Sequence, residues 1–594
     1  MYAAPVKEIL FVMKHLANIE GILSYPQFQE AGVDLETAEA ILEEAAKLNQ
    51  EVIAPINWPG DQTPSRLNDG IVTTSPGFKD AYQQYIAGGW QGVIHPQEYG
   101  GQGLPRVIST ACQEMVNSAS LSFALCPLLT DGAIEALLTA ASDEVKEKYL
   151  PKMISGQWTG TMNLTEPQAG SDLALVRSKA LPQADGTYKV FGTKIYITYG
   201  EHDFTENIIH LVLARTPDAP EGVKGISLFV VPKFLVSDSG ELKERNDVHC
   251  VSIEHKLGIK ASPTAVLQFG DQGGAIGYLV GQENRGLEYM FVMMNAARFA
   301  VGMQGIAISE RAYQQAVTYA KDRVQGKDLE GSAQAVSIIH HPDVKKMLMT
   351  MRTQIEGARS LAYVAASHCD LSELSQDEKE RQMHHGIYEF LVPIVKGYST
   401  EMGVELASLG VQVHGGMGFI EETGAAQHYR DARILPIYEG TTAIQANDLI
   451  GRKTLKDGGR VAKVLAQMIL DTEKELSQLN TEVAKVMQRR LKEAREGFEA
   501  VVEYILTNTK GHIKDVFAGS TTYLKLCGIT LSGWQMARAI LAIEKIKAED
   551  EGFAQAKIAT AHFFAAHLLV MVPALANAIL EGGQATNALN IEHF

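Results

Sequence analysis

One carboxylate in the sequence stands where it could take a proton from a substrate. Glu439 lies in the stretch IYEGTTAIQ, between Tyr438 and Gly440, with Thr441 and Thr442 directly after. A carboxylate and hydroxyls at this spacing are typical of a helix start, where they satisfy free backbone N–H groups. A lone carboxylate beside an aromatic residue and a glycine could equally be a desolvated general base. The stretch alone leaves both interpretations open.

Two other segments could serve chemistry, and each has an ordinary explanation when taken alone. LTEPQAGSD (Leu164–Asp172) could be a turn before the strand that ends in KIYIT at Thr198, and HGGMGF (His414–Phe419) could be a sharp connection between helices. The sequence has no HExxH, no EF-hand loop and no Cys/His ligand set, so we predict no metal site. It also lacks GxSxG, a P-loop and a strand-to-helix GxGxxG.

Composition and charge restrict the class of protein. The chain has 594 residues, which predicts about two to four structural units. A net charge of −17 argues against a nucleic-acid surface, which needs a clustered basic face. Five cysteines are dispersed without a CxxC pair, which favours a reducing compartment. The N-terminus does not resemble a signal peptide, so we predict a cytoplasmic location.

The elements that must position these residues change in type along the chain. Residues 1–157 are predicted to form a helical domain, because apolar residues recur at helical spacing between good helix formers. Residues 158–283 are rich in β-branched and aromatic residues broken by glycines, which predicts a β-domain. Residues 284–452 and 453–594 again have helical patterns, which predicts a helical domain carrying Glu439 and a helical extension.

One segment of the extension is long and apolar enough to suggest a membrane span. It runs from Phe563 to Leu580 and contains His567, Pro573 and Asn577 among many alanines. These residues favour a buried or subunit-interface helix over a span. Peripheral membrane contact stays open.

Taken together, the motifs resemble the acyl-CoA dehydrogenase family over roughly residues 40–452. TEPxAGSD, the arginine-bearing helix Asn295–Arg311, QxxGGxGF and RDxRxxxIYEGT occur in family order. The whole chain is similar to the long subgroup that includes 3-methylmercaptopropionyl-CoA dehydrogenases and some bacterial fatty-acyl-CoA dehydrogenases. The resemblance implies a mostly α fold with an inserted β-domain. Its parts are an N-terminal helical domain, a middle β-barrel-like domain, a C-terminal four-helix bundle and an extra helical domain.

The resemblance implies FAD-dependent oxidation of the α,β carbon–carbon bond of an acyl-CoA thioester to a trans-2-enoyl-CoA. Glu439 is then the base that takes the α-proton, and Arg298 lies near it and helps to hold the local geometry. Some family members carry the base beside this arginine, but Met294–Phe299 here has no carboxylate. The implied substrate contacts are Ser171, Arg298, Tyr438, Glu439 and Gly440.

The same resemblance implies a set of FAD contacts, with the adenine end supplied by a neighbouring subunit of a homo-oligomer, a dimer or tetramer. The set is Met162, Leu164 and Thr165 at the flavin ring, Ser171 at the pyrophosphate or pantetheine, Tyr196 and Thr198 against the flavin, Arg323 at the pyrophosphate, Gln412, Gly415 and Gly416 at the adenine half, and Thr441 beyond the base. Met162 and Tyr196 depart from the aromatic residue and the tryptophan that are usual in the family. Arg323 is followed by VQG rather than an aromatic–glycine pair.

Several functions are compatible with this interpretation. The leading expectation is fatty-acid β-oxidation with a slight preference for medium-to-long chains and an electron-transfer flavoprotein as electron acceptor. The alternatives are a 3-methylthiopropanoyl-CoA dehydrogenase, an acyl-CoA oxidase that uses oxygen, and a DNA-associated flavoprotein of the same fold. The last needs a basic C-terminal surface, whereas residues 453–594 mix acids and bases.

Overall fold

The structure is a computed structural model that describes residues 2–594, apart from the side chain of Val292. The chain divides into two compact units. The helical unit comprises the chain up to Ala46, Pro105–Ser118 and Arg298–Phe594. The sheet unit comprises Lys47–Leu104 and Ala119–Ala297.

Helices account for most of the described chain. The α-helices are α1 (Val6–His15), α2 (Ile19–Leu23), α3 (Pro26–Glu30), α4 (Leu35–Leu48), α5 (Ala54–Gln62), α6 (Phe78–Ala87), α7 (Arg106–Ala119), α8 (Leu121–Ala140), α9 (Asp143–Ile154), α10 (Gly286–Asp322), α11 (Pro342–Leu374), α12 (Glu378–Val413), α13 (Ala425–Ala432), α14 (Thr442–Asp448), α15 (Arg460–Leu476), α16 (Glu482–Ala518), α17 (Ser520–Ile546), α18 (Glu551–His567) and α19 (Val572–Thr586). The strands are β1 (Arg66–Asn68), β2 (Ile71–Thr73), β3 (Trp158–Asn163), β4 (Lys179–Pro182), β5 (Tyr188–Thr198), β6 (Asn207–Ala214), β7 (Ser227–Pro232), β8 (Phe234–Val236), β9 (Leu242–Arg245), β10 (Val248–Ile253), β11 (Thr264–Phe269) and β12 (Ala275–Val280).

The sheet unit is built on one eight-stranded sheet. Its order is β10-β11-β5-β12-β7-β6-β3, with β4 also paired to β5. The pair β3–β6 is parallel and the other pairs in this sheet are antiparallel. Every residue of β6 and β7 is buried, as expected for strands covered on both faces. The β-rich composition therefore produces a rigid frame for the segments at the ends of β3 and β5.

A short hairpin lies within the region that the sequence predicts to be a helical domain. Strands β1 and β2 pair across Asp69 and Gly70, whose φ angles are +49° and +76°. An Asp-Gly pair with positive φ at both positions is the usual two-residue hairpin turn. The sequence prediction misses this hairpin because its turn signal, RLNDGIVT, is too short to alter the surrounding helical pattern.

Three long helices form the centre of the helical unit. Helix α12 is buried on every side through its middle, from Phe390 to Thr400, and such helix segments lie within a core rather than on a surface. Helix α10 crosses it closely: a Cβ added to Gly302 would lie 2.7 Å from the carbonyl oxygen of Val395. Glycine at this crossing lets the two backbones meet, which brings Arg298 of α10 and Lys396 of α12 into the same region.

The C-terminal extension consists of α15–α19, with a break inside the apolar segment Phe563–Leu580, for which the sequence favours one helix. Helix α18 ends at His567 and α19 begins at Val572, with a short 3₁₀ turn at Leu569–Met571. Pro573 occupies the first turn of α19, where its missing N–H costs nothing; it could not continue α18. A single helix through this segment is therefore wrong.

Four helical stretches of the described chain are long and apolar enough to cross a membrane, judged by length and composition alone. Leu121–Ala140, Gly286–Asp322 and Ser520–Ile546 are 76–83% buried inside the protein in their most apolar windows, as core helices are. Glu551–Thr586 has a mean hydropathy of 2.0 in its window and is only 39% buried. The order of helical, β, helical and helical regions is confirmed; the predicted boundaries at 157, 283 and 452 stay a proposal.

Candidate active site

Glu439 lies on a strained turn immediately before a helix. Its φ angle is +52°, in the left-handed region that non-glycine residues rarely occupy, and Gly440 follows with φ +86°. Helix α14 begins at Thr442, and the hydroxyl of Thr441 caps it by accepting from the N–H of Ile444 at 3.3 Å. The helix-start interpretation is therefore correct for the segment, but Thr441 provides the cap and the carboxylate of Glu439 does not.

The peptide N–H of Glu439 is open, whereas the Cα of Gly440 is crowded by a neighbouring side chain. The peptide N–H of Glu439 donates to no acceptor among the described residues. A Cβ at Gly440 would lie 2.7 Å from Nε2 of Gln445, which itself donates to the carbonyls of Glu439 and Gly440 at 3.3 and 3.2 Å. Glycine is required at 440 both for its φ angle and for this close approach.

Two buried cations border the turn. Arg298 is 4% exposed, and its Nη1 lies 3.6 Å from Oδ2 of Asp448. A Cβ at Gly440 would lie 3.8 Å from Nη2 of Arg298, so the guanidinium is adjacent to the turn. Lys396 is fully buried, and its Nζ donates to the carbonyls of Leu435 and Gly440 at 2.9 and 2.7 Å. Both cations thus lie where α10 and α12 cross.

Burial and the two cations act on Glu439 in opposite directions. Desolvation raises the pKa of Glu439, whereas Lys396 and Arg298 pull that pKa down, and the net direction is upward. Burial lowers the pKa of Lys396 to about 8, although the charge of Glu439 opposes this shift. Burial also lowers the pKa of Arg298, which Asp448 and Glu439 oppose. A half-buried carboxylate with a raised pKa can act as a base near neutral pH.

Tyr438 begins a chain of polar contacts next to the carboxylate. Its hydroxyl donates to Oε1 of Gln304 on α10, and Nε2 of Gln304 donates to Oδ1 of Asn117 on α7 at 3.1 Å. Gln304 and Asn117 are buried, so these contacts fix the phenol ring. These contacts thereby fix the side chain that precedes the base.

The sheet unit brings together the predicted flavin-ring residues at the ends of two strands. Met162 is buried in β3, and the N–H of Ile195 donates to the carbonyl of Thr165 at 3.0 Å, which joins this segment to β5. Tyr196 is 61% exposed, with φ +60°. Thr165 and Thr198 are half-buried, and their hydroxyls have no hydrogen-bond partner among residues 2–594.

Glu166 anchors this corner of the sheet unit, in place of the simple turn that TEPQAGSD suggests. Its carboxylate accepts from Lys194 Nζ at 2.8 Å and from the N–H and hydroxyl of Ser178. Lys194 also donates to the carbonyl of Leu164 at 3.0 Å. Burial raises the pKa of Glu166, but Lys194 and the other donors hold it at about 2. Ser171, further along the same motif, is exposed.

The remaining predicted FAD contacts lie at the far end of α10. Arg323 is exposed just beyond Asp322, and the ring centroids of Tyr319 and His414 lie 4.5 Å apart with the rings tilted by 30°. The other members of this group, Gln412, Gly415 and Gly416, are also exposed. Arg298 is 24 residues from the end of α10, about 36 Å along a helix axis. This group and Arg298 are therefore well separated along one helix.

Lys396, Gln304 and Gln445 are absent from the residues predicted from sequence. The sequence alone could have singled out Lys396, because a lysine inside the apolar run LVPIVKGY is not part of a polar surface pattern. The sequence alone could not have singled out Gln304 and Gln445, because their importance depends on how their helices pack. The sequence motif marks the base, whereas the residues that hold it come from other helices.

Comparison with known families accounts for nearly the whole chain. Acyl-CoA dehydrogenase descriptions match in order: the N-terminal domain at residues 36–157, the middle domain at 161–272 and the C-terminal domain at 284–454. A further description, acetyl-CoA dehydrogenase C-terminal like, matches residues 460–590. The chain belongs to the acyl-CoA dehydrogenase family. It is therefore an oxidoreductase acting on CH–CH groups, of a FAD-dependent family.

Full-length relatives support this assignment. A 3-methylmercaptopropionyl-CoA dehydrogenase of Ruegeria pomeroyi is 54% identical over 98% of both chains. A broad-specificity linear acyl-CoA dehydrogenase of Mycobacterium tuberculosis is 33% identical over 96% of both. An acyl-CoA dehydrogenase of Bacillus anthracis complexed with FAD has a TM-score of 0.73 at 21% identity, over 95% of this chain and 92% of that one. The last likeness extends the shared fold through the extension.

The residues present fit FAD within each unit. Thr165 and Thr198 offer half-buried hydroxyls with no partner in the described chain, beside the open ring of Tyr196. Gly415 and Gly416 have no described atom within 4 Å of an added Cβ, so their backbone is open to a ligand. An isoalloxazine edge needs such hydroxyl donors, and a nucleotide needs close backbone approach. The individual contacts remain proposals.

Proposed function

We propose that this protein oxidises 3-methylthiopropanoyl-CoA to the corresponding 2-enoyl thioester, with Glu439 as the α-proton base. The support for the substrate is the relative of that printed name, which matches over 98% of both chains. The 33–34% identical full-length relatives act, by their names, on linear acyl or butyryl thioesters. The slight sequence-based preference for medium-to-long chains is less well supported than this alternative, and we do not retain it.

One observation carries the assignment of the base. Glu439 combines a raised pKa with a peptide N–H that is free to donate among the described residues. Removing the very weakly acidic α-proton of a thioester needs a desolvated carboxylate together with a donor for the negative charge that develops on the carbonyl oxygen. Tyr438–Gly440 provides both functions within three residues.

The chemistry then divides between the protein and its cofactor. The carboxylate of Glu439 takes the α-proton, and the C–H electron pair moves into the new α,β double bond. The N–H of Glu439 donates to the thioester oxygen, and Arg298 and Lys396 keep the base ionised before the step. When bound, FAD supplies the acceptor for the β-hydrogen and its electron pair. The products are the 2-enoyl thioester and a protonated Glu439.

We propose that the FAD site is completed by a second copy of this chain. The group at the end of α10 lies about 36 Å along the helix from Arg298, so within one chain the predicted pyrophosphate and adenine contacts are far from the base and its arginine. A homo-oligomer in which one protomer supplies Arg323, Gln412, Gly415 and Gly416 removes this difficulty. We also propose a cytoplasmic location and an electron-transfer flavoprotein as the electron acceptor.

The substrate assignment is tested by anaerobic flavin bleaching. The purified protein, loaded with FAD, is mixed in a stopped-flow instrument with 3-methylthiopropanoyl-, butanoyl-, octanoyl- or palmitoyl-CoA. Hydrophobic pockets discriminate by roughly 10- to 200-fold per methylene-sized difference, so we expect at least about tenfold preference for the thioether substrate. Faster bleaching by octanoyl- or palmitoyl-CoA would restore the fatty-acyl assignment. Bleaching by none of the four would contradict the proposed function.

The electron acceptor is settled by a separate assay. Turnover in air should release little peroxide and should depend on added electron-transfer flavoprotein. Stoichiometric peroxide without that partner would identify an oxidase instead.

A further inference from the structure

Lys396 is a cation at a buried position, where its charge does not contribute to the solubility of the protein. Its side chain is fully buried in α12, between Val395 and Gly397 in a helix that is apolar on all sides there. Burying an ammonium group costs several kcal/mol unless its hydrogen bonds compensate. A methionine would pack in the same space without that cost. The position therefore requires an explanation in terms of what the ammonium contacts.

The ammonium joins the two ends of the turn that carries the base. Nζ donates to the carbonyl of Leu435 at 2.9 Å and to that of Gly440 at 2.7 Å. Tyr438 and Glu439 lie between these two carbonyls. One side chain from a different helix thus closes the segment 435–440 into a loop of fixed geometry.

This turn needs such a restraint because its backbone is strained. A non-glycine residue in the left-handed region, as Glu439 is, is strained and persists only when the surroundings enforce it. Neutral donors also restrain the turn: Gln445 donates to the carbonyls of Glu439 and Gly440 at 3.3 and 3.2 Å, and the N–H of Thr442 donates to that of Pro436 at 3.0 Å. The charged donor makes the shorter and stronger bonds.

The geometry points to Lys396 as a positioning residue for the α-proton base, an inference that rests on the proposed function of Glu439. Its ammonium holds the turn in the conformation that aims the carboxylate, and its charge keeps that carboxylate ionised. Lys396 touches no reacting atom in this account. It acts through the two carbonyls and through the electrostatic field at Glu439.

Two cations act on the base: Lys396 from α12 and Arg298 from α10. Two carboxylates of α12 act in turn on these cations, Glu401 on Lys396 and Glu389 on Arg298. Asp448 of α14 pairs with Arg298, and Arg452 in turn lies 3.4 Å from Asp448. Removing Lys396 leaves Arg298, already partly neutralised by Asp448, as the cation nearest to Glu439. The pKa of Glu439 should then rise, so less of it is ionised at neutral pH.

The test compares Lys396→Met with Lys396→Arg and with Lys379→Met, a control at an exposed lysine in the first turn of the same helix. For Lys396→Met we expect the maximal rate of anaerobic bleaching to fall by about tenfold to a hundredfold, as for other small misplacements of reacting groups. The substrate concentration at half-maximal rate should change little. The pH range in which the bleaching rate falls on acidification should move to higher pH. Lys396→Arg should recover part of the rate, and Lys379→Met should behave as the wild type.

A second readout does not depend on activity. Hydrogen exchange followed by mass spectrometry should show faster exchange in peptides covering residues 435–445 of Lys396→Met, without faster exchange in the sheet unit. If Lys396→Met does not yield folded flavoprotein, Lys396→Gln is judged by the same criteria. The inference is overturned if the wild type is bleached normally and the Met or Gln variant has the same bleaching rate, the same pH dependence of that rate and the same hydrogen exchange. The proposed function would stand in that case. A wild type that no thioester bleaches would instead refute the proposed function.

Discussion

At the scale of single residues, the site depends on a balance of charge around Glu439. Burial raises its pKa, and Lys396 and Arg298 limit that rise. A carboxylate with an ordinary pKa would be a weaker base towards an α-proton, and one with no cation nearby would have a higher pKa and a smaller ionised fraction. The raised pKa and the two cations thus act together.

This balance predicts the pH dependence of the reductive step. The base must be ionised to act, so the bleaching rate should fall as pH decreases through the raised pKa of Glu439. The fall in the bleaching rate should therefore occur at a higher pH than the range in which an ordinary glutamate is protonated. Stopped-flow bleaching between pH 5 and pH 9 measures it, with protein stability checked at each pH. A rate that stays flat down to the ordinary glutamate range would contradict the electrostatic account.

At the scale of elements, a buried ion network holds three helices of the helical unit together. Arg359 of α11 donates to Glu114 of α7 at 2.7 Å through Nε and to Glu310 of α10 at 2.7 Å through Nη2. The hydroxyl of Tyr363 donates to the second oxygen of Glu114 at 2.9 Å. Helix α10 also carries Arg298 and Gln304, so the network fixes the helix that supports the active site.

Arg359→Met should therefore be strongly destabilising. It leaves two buried carboxylates without their cation, and breaking a buried network in this way costs about 3–5 kcal/mol. The matched control is Arg285→Met at the exposed Arg285–Glu288 pair, where a change within about 0.5 kcal/mol is expected. Thermal unfolding of the purified variants measures both. Equal melting temperatures for the two variants would be incompatible with this role of Arg359.

At the scale of the whole molecule, the surface near the predicted adenine contacts is unusually apolar. Phe419 is 87% exposed, and Met417 and Ile420 beside it are 48% and 44% exposed. Apolar residues gathered on one exposed turn are typical of an interaction surface. Their proximity to Gly415 and Gly416 is consistent with the proposed second copy of this chain.

Phe419→Glu should weaken both assembly and FAD retention. Light scattering of the wild type should give a mass of at least two chains of 64.7 kDa, and the variant should shift toward one. Ile71→Glu, at a 63% exposed isoleucine in the β1–β2 hairpin, is the control and should change neither mass nor flavin content. A wild-type mass of one chain with full FAD would refute the shared site.

The sequence predicts some levels of this structure better than others. The long α10–α12 patterns and the β-rich middle region indicate the order of the elements, because each pattern is sustained over many residues. The β1–β2 hairpin and the break before Pro573 depend on short local signals that a long helical pattern conceals. Glu439 is recognisable from IYEGT, whereas Lys396 and Gln445 matter only through a turn that tertiary packing creates.

The assignment of the base is tested by comparing wild type with Glu439→Gln, with Glu496→Gln as a control at an exposed glutamate of α16. Each FAD-loaded protein is mixed anaerobically with 3-methylthiopropanoyl-CoA, and the flavin absorbance is followed. The Glu439→Gln variant should keep its FAD and its assembly, because the substitution preserves size, but its bleaching rate should fall by roughly 10²–10⁴ or more. Glu496→Gln should be bleached like the wild type. Near-normal bleaching of a folded, flavin-loaded Glu439→Gln protein would show that Glu439 is not the base.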